Sequence, residues 1–132
     1  MRRPAVVLAT VLLAVASACA RPAPPPAAAV DIPGLPGYPG ARELDHSTKG
    51  PHWGYQDSLG RLMVADVPFA TVRAFYERAI ADNGWTVQEV TGTGGAIHWH
   101  LYRGATLGDV EIAPRPEGGV EIHLERHDHA PS

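Results

Sequence analysis

Four short segments of alternating apolar and polar residues fill the second half of the chain, and turns rich in glycine separate most of them. The segments cover residues 85–90, 96–102, 106–113 and 119–126. Successive side chains of a strand point to opposite faces, so this spacing is typical of an antiparallel meander. One face of the predicted sheet carries the apolar members: Ile97, Trp99, Leu101, Val110, Ile112, Val120, Ile122 and Leu124. In a domain of this size, that face has to be covered by another element.

A single amphipathic helix is predicted immediately before these segments, from residue 67 or 68 to Asn83. Pro68 suits the first helical position, where its missing N–H has no intrahelical acceptor. The apolar stripe has helical spacing and comprises Val72, Phe75, Tyr76, Ala79, Ile80 and Asn83. This stripe is the element that we expect to cover the apolar face of the sheet.

The end of the predicted helix has the pattern of a Schellman motif. Asn83 takes the C-cap position, Gly84 takes the left-handed position, and Trp85 then contacts Ile80. This contact directs the chain from the helix into the first segment of the meander.

The predicted fold class is α+β, with one helix packed on a four- to six-stranded antiparallel sheet. Residues 41–47 and 61–66 supply further strand candidates before the helix. Leu107 is out of step with Val110, which predicts a β-bulge at Gly108. We predict that the domain covers residues 41–126, followed by a flexible tail at residues 127–132.

The amino terminus has the order of an export signal. Arg2 and Arg3 precede an apolar run at residues 5–16, and small residues lead into Cys19, the one cysteine of the chain. The run is shorter than the roughly 20 residues that a transmembrane helix needs. Residues 1–18 are therefore predicted to be a signal peptide that is removed on export.

The junction Ala16-Ser17-Ala18-Cys19 resembles the lipobox of bacterial lipoproteins. The resemblance implies cleavage before Cys19, a diacylglyceryl group on its sulfur, and attachment to the membrane through acyl chains such as palmitate. Ala16 stands where the family most often has Leu. Residues 16–18 also fit the A-x-A pattern of ordinary secretion, which stays an alternative. A lone cysteine favours lipidation, because an exported chain with one Cys has no partner for an internal disulfide.

Residues 19–40 are predicted to be a stalk, because seven of the thirteen prolines of the chain lie between residues 20 and 40. Proline favours the extended PPII conformation. Ile32, Leu35 and Tyr38 are candidates to contact the edge of the domain. Without its signal, the chain has nine Lys and Arg against 14 Asp and Glu. This acidic balance argues against nucleic acid as a partner.

A second resemblance rests on three short pieces of the chain. Tyr38-Pro39-Gly40-Ala41, Phe75-Tyr76 and Asn83-Gly84-Trp85 look like parts of a small domain of unassigned function that recurs in exported bacterial proteins. The resemblance implies a fold and no activity. Packing and helix capping explain the same residues.

Strand alternation places histidines and carboxylates on the face of the sheet opposite the helix. If the last three strands pair in sequence order, the carboxylates of the middle strand lie between histidines of the outer two. One interpretation of this arrangement is a divalent metal site for zinc or copper. The candidate ligands are His98, His100, His123 and Glu111, with Asp109 as an alternative carboxylate. A solvated, charge-paired polar face is the other interpretation of the same pattern.

Sequence signatures of enzymes are missing from the chain. Residues 56–60 lack the first glycine of the G-x-S-x-G nucleophile elbow, and residues 91–95 lack the Lys and Ser/Thr of a P-loop. We therefore predict a non-catalytic envelope protein that binds a protein or other envelope component through the sheet face, the Trp53 loop or an edge strand. The alternative is a metal-binding or metal-sensing lipoprotein.

Overall fold

A computed structural model describes residues 31–129 and shows one helix packed on a six-stranded antiparallel sheet. This arrangement confirms the predicted α+β class. The elements, in chain order, are β1 (Arg42–Lys49), β2 (Tyr55–Ala65), α1 (Phe69–Asp82), β3 (Thr86–Thr91), β4 (Ile97–Arg103), β5 (Thr106–Pro114) and β6 (Val120–His129).

The strand order in the sheet is β1-β2-β6-β5-β4-β3. Strands β3 to β6 are therefore neighbours in sequence order, and the predicted meander is confirmed. β2 pairs with the far side of β6, and β1 pairs with β2. Because β2 and β3 lie in opposite halves of the sheet, the connection between them crosses the sheet, and α1 makes that crossing.

The core lies between α1 and one face of the sheet. Val72, Tyr76 and Ile80 are the buried helix residues, at the spacing that the sequence predicts. The strands contribute Met63, Trp99, Leu101, Val110, Ile112, Val120, Ile122 and Leu124. The predicted division of these strands into an apolar and a polar face is therefore confirmed.

The predicted Schellman ending of α1 is present. The Trp85 N–H donates to the Ile80 carbonyl at 3.1 Å, and the Gly84 N–H donates to the Ala81 carbonyl at 3.1 Å. Gly84 has a φ of 72°, which glycine adopts without strain. At the other end, Pro68 is the N-cap residue and the helix begins at Phe69.

The predicted bulge at Gly108 is wrong. Pairing of β5 is continuous on both sides, from Thr106 to Pro114. Gly108 faces the core, and a Cβ at this position would lie 3.1 Å from the indole ring of Trp85. The glycine therefore makes room for the ring, and Leu107 lies on the opposite face.

The segment 31–40, which the sequence assigns to the stalk, packs against the domain through Ile32, Leu35 and Tyr38, the residues predicted to contact its edge. Ile32 and Leu35 are each only 1% exposed and belong to the core. The Tyr76 hydroxyl donates to the Pro36 carbonyl at 3.2 Å. The packed structure thus includes residues before the predicted boundary at residue 41, because the helix and sheet leave apolar surface that Ile32 and Leu35 cover.

The other end of the domain also extends past its predicted boundary. β6 continues through His129, and Ser58, Asp57 and Tyr55 of β2 pair with His127, Asp128 and His129. The residues 127–129 are thus part of the sheet, where the sequence predicts a tail. A long β2 supplies the pairing partners for them.

The predicted signal peptide, Cys19 and the first part of the predicted stalk lie outside the described residues, as does the end of the predicted tail at residues 130–132. Within residues 31–129, no helix is both long and apolar enough to cross a membrane.

We predict that Leu35→Ala lowers the free energy of unfolding by about 2–5 kcal/mol, because it leaves a cavity in the core. Leu44→Ala is the matched control, since Leu44 is 44% exposed and its truncation is expected to cost less than about 1 kcal/mol. Urea unfolding followed by tryptophan fluorescence measures both. Equal effects of the two substitutions would contradict the assignment of segment 31–40 to the core.

Candidate functional site

The face of the sheet opposite α1, called the open face below, carries a concentration of histidines and carboxylates. They stand between the core residues of β4, β5 and β6, as the alternation predicts. The members of this set are His98, His100, Asp109, Glu111, Glu121, His123, Glu125 and His127.

Strand register arranges these side chains in rows that cross the sheet. In one row, Glu111 of β5 stands between His98 of β4 and His123 of β6. The next row has Asp109 between His100 and Glu125, and the row after it has His127 between Leu107 and Ser58. Directly opposed residues on adjacent strands have Cβ atoms about 4.5–5.5 Å apart, so each row brings its side chains within contact distance.

The first group of converging side chains consists of His98, His100 and Asp109. Asp109 Oδ1 lies 3.0 Å from His98 Nε2 and 2.8 Å from His100 Nδ1. The two imidazole rings lie side by side, with centroids 3.9 Å apart. One potential ligand atom from each residue lies within 4.8 Å of the other two, so the three side chains are close enough to share a metal ion.

The second group consists of Asp109, Glu125 and His127, and its potential ligand atoms also lie within 4.8 Å of one another. His127 Nε2 is 3.2 Å from Glu125 Oε2. Asp109 belongs to both groups, so the two are adjacent and share a carboxylate.

A depression of about 250 Å³ lies over the same rows. Its lining consists of His98, Asp109, Glu111, His123 and Glu125. It is polar and open to solvent, and its volume is below the roughly 300–1,000 Å³ of pockets that bind small organic molecules. An ion with its water ligands fits this space better than an organic substrate does.

Two of the four predicted metal ligands, His98 and His100, converge in the structure, and Asp109 is the carboxylate between them. Glu111 reaches only the other nitrogen of His98, at 3.7 Å, and His123 is directed at Glu125, with 3.1 Å between Nε2 and Oε1. Register alone does not decide this, because Glu111 is the direct cross-strand partner of His98 as Asp109 is of His100. The side-chain rotamers bring His98 Nε2 to the diagonal neighbour Asp109.

Two further residues lie beside these groups. The sequence pattern gives no signal for Ser58, and it predicts that His127 lies in a flexible tail. The Ser58 Oγ lies 2.7 Å from His127 Nδ1 and 3.4 Å from His52 Nε2. Ser58 is the one buried polar residue of residues 31–129. The pairing of β2 with β6 brings it to His127 across 69 positions of sequence, and no local pattern marks such a contact.

The electrostatics of the open face are dominated by the pair His123 and Glu125. The hydrogen bond from His123 lowers the pKa of Glu125 to about 2, against the opposing effect of partial burial. The same hydrogen bond raises the pKa of His123 above its usual value, and the charges of Glu125, Glu111 and Glu121 add to this. The open face therefore favours positive charge.

The remaining predicted interaction feature is the Trp53 loop, and Trp53 belongs to neither group. Trp53 is 95% exposed, and its φ of 45° is in the left-handed region, which is strained for a bulky residue. His46, on β1, bonds to Glu43 Oε1 at 2.9 Å and belongs to neither group.

Comparison of the chain with protein-family models, curated proteins and solved structures gives no match. The chemistry of the open face therefore rests on its own residues. Imidazole and carboxylate together suit zinc and copper ions. In the first group, His98, His100 and Asp109 are 29%, 35% and 27% exposed, so an ion can reach all three side chains from solvent.

The shifted pKa values predict how stability of the metal-free protein depends on pH. Glu125 contributes stability above its usual pKa near 4.5, and this contribution is lost as the pH falls towards 2. His123 contributes stability below its usual pKa near 6.5, and this contribution is lost as the pH rises through its raised value. We predict that Glu125→Gln destabilises the protein most between pH 4.5 and 6.5.

Both side chains are partly exposed, so the expected effect is below about 1 kcal/mol. Urea unfolding in the presence of a chelator, from pH 3 to pH 9, measures it. Glu121→Gln is the control on the same strand and is expected to show a smaller dependence on pH. A Glu125→Gln effect that is constant across this range would contradict the role of the ion pair.

Proposed function

We propose that this chain is a lipid-anchored cell-envelope protein whose small, non-catalytic domain binds a zinc or copper ion on its open face. Two parts of the chain support the proposal. The lipobox-like junction at Cys19 supports export and anchoring, and the convergence of His98, His100 and Asp109 supports metal binding.

The single observation that carries the metal-binding proposal is the geometry of the first group. Two nitrogens from separate imidazoles already point at one carboxylate oxygen, at 2.8 and 3.0 Å. A metal ion binds the nitrogen lone pairs in place of the protons that now make these hydrogen bonds. The residues of β4 and β5 are held by strand pairing, so little rearrangement of the backbone is required.

The first group offers three protein ligands, and a zinc ion normally takes four. Water would supply the remaining ligand, because the three side chains are partly exposed to solvent. Catalytic zinc sites also have three protein ligands and one open position. We propose binding and not catalysis, because the depression is polar and its volume of about 250 Å³ is below that of pockets that enclose organic substrates.

We predict that zinc titration of the full chain carrying Cys19→Ser, which has neither acyl chains nor a free thiol at residue 19, shows a bound equivalent that the His98→Ala/His100→Ala variant loses. Removal of two ligands is expected to weaken this site by about 100-fold or more. Calorimetry after treatment with a chelator measures the effect.

His46→Ala is the matched control, because His46 is a histidine of the same sheet that lies outside both groups. The control is expected to bind as much zinc as the wild-type chain. Zinc binding that is unchanged in the His98→Ala/His100→Ala variant would remove the basis for a metal site in the first group.

We predict that the exported protein begins at a Cys19 that carries acyl chains. Mass spectrometry of the processed amino-terminal peptide measures the added mass, and the Cys19→Ser variant is expected to leave the membrane fraction. Two or more acyl chains give stable membrane attachment. An unmodified terminus at Cys19, or one at Arg21, would support secretion without an anchor.

A second candidate function is docking on another envelope protein, and the exposure of Trp53 favours it. A bulky aromatic side chain that is 95% exposed and held at a strained φ is suited to insert into a partner's pocket. This function depends on Trp53 and leaves His98 and His100 unused. The two candidate functions therefore involve separate residues and are compatible with each other.

A further inference from the structure

A chain of hydrogen bonds runs through three side chains beside the second group. His52 Nδ1 lies 2.7 Å from the Gly50 carbonyl oxygen. A carbonyl oxygen only accepts, so His52 Nδ1 carries the proton of the neutral ring. His52 Nε2 is then an acceptor, and it faces Ser58.

Ser58 links this ring to His127. Its Oγ lies 3.4 Å from His52 Nε2 and 2.7 Å from His127 Nδ1. The hydroxyl has one proton and donates it to one of these two nitrogens at a time. When it donates to His52 Nε2, its oxygen accepts from His127 Nδ1, which leaves a lone pair on His127 Nε2.

That lone pair faces a carboxylate. His127 Nε2 lies 3.2 Å from Glu125 Oε2, and the Asp109 carboxylate lies within the same group. Without a metal ion, Nε2 carries a proton that it donates to the carboxylate, and the Ser58 hydroxyl donates to Nδ1. A metal ion on Nε2 would take the place of that proton, and Nδ1 would then donate to Ser58. The ring of Tyr55, with its centroid 4.9 Å from that of His127, limits rotation of the imidazole away from this position.

We propose that Asp109, Glu125 and His127 form a second metal site, next to the first and joined to it by the shared carboxylate of Asp109. Ser58 is its positioning residue, because it holds His127 in the tautomer that binds metal through Nε2. A ligating histidine commonly bonds through its other nitrogen in this way. The second site deepens the proposed metal-binding function and rests on it.

Because both sites include Asp109, this carboxylate would bridge the two ions. A carboxylate has two oxygens, and bridging carboxylates are a feature of sites that hold two ions. The ligands of the first site are His98, His100 and Asp109. Those of the second site are Asp109, Glu125 and His127. Both sets match the nitrogen and oxygen preference of zinc.

The number of zinc ions bound per chain tests the second site. Calorimetry measures this number as zinc is titrated into the chelator-treated full chain carrying Cys19→Ser. The chain with no further substitution is expected to bind two equivalents of zinc. His127→Gln and Glu125→Gln are each expected to bind one. Glu121→Gln, which makes the same change of charge on the same strand outside both groups, is expected to keep two.

The positioning role of Ser58 has a separate readout. Ser58→Ala is expected to retain both equivalents and to weaken one of them by about 10-fold or more, while thermal unfolding without zinc checks that the variant is folded. Unchanged affinity for both equivalents in Ser58→Ala would overturn this role.

The outcomes distinguish the second site from the first. The second site is overturned if the wild-type side chains bind one equivalent of zinc, which the His98→Ala/His100→Ala variant loses and the His127→Gln variant keeps. That result leaves the proposed function in place. No bound zinc in the wild-type chain overturns both. Two equivalents that persist in both His127→Gln and Glu125→Gln overturn the location of the second site.

Discussion

The structure depends on the burial of Trp85 at the point where the helix becomes a strand. Its backbone N–H closes the Schellman motif on Ile80, and its indole N–H donates to the Gly34 carbonyl at 2.7 Å. The guanidinium of Arg103 lies over the ring, 4.7 Å from its centroid, and the ring edge packs on Gly108. One side chain thus joins the helix end, the amino-terminal segment, β4 and β5.

The local part of this arrangement could be predicted from the sequence, and the distant part could not. Asn83, Gly84 and Trp85 stand next to one another, so capping chemistry predicts their contact with Ile80. The contact with Gly108 joins residues more than twenty positions apart. A glycine that breaks an alternating pattern indicates either a bulge or a close approach, and only the position of the indole distinguishes the two.

The amino-terminal segment shows the same limit. Its prolines favour an extended chain, and the structure shows that an irregular segment can still contribute two buried side chains, Ile32 and Leu35. Hydrogen bonds to its carbonyls come from the side chains of distant elements, including Trp85 to Gly34 and Arg126 to Pro33. Proline content predicts local backbone conformation, whereas tertiary contacts decide where the domain begins.

The sequence predicts which residues of the candidate site lie on the same face of the sheet. It does not predict which of them contact one another. Alternation assigns His98, His100 and the neighbouring carboxylates to one side of the sheet, because the period of a strand is two. Which carboxylate meets the histidines depends on register and on side-chain rotamers. The contact of Ser58 with His127 depends on the β2–β6 pairing, which no short sequence pattern specifies.

Core and candidate site are coupled through the register of β5. Val110 and Ile112 face α1, and Asp109 and Glu111 alternate with them on the open face. A slip of one residue would bury both carboxylates and expose both apolar side chains. The free energy of apolar burial, about 25 cal/mol per Å², therefore holds Asp109 beside His100. The packing that stabilises the domain therefore also fixes which side chains of β4, β5 and β6 lie next to one another on the open face.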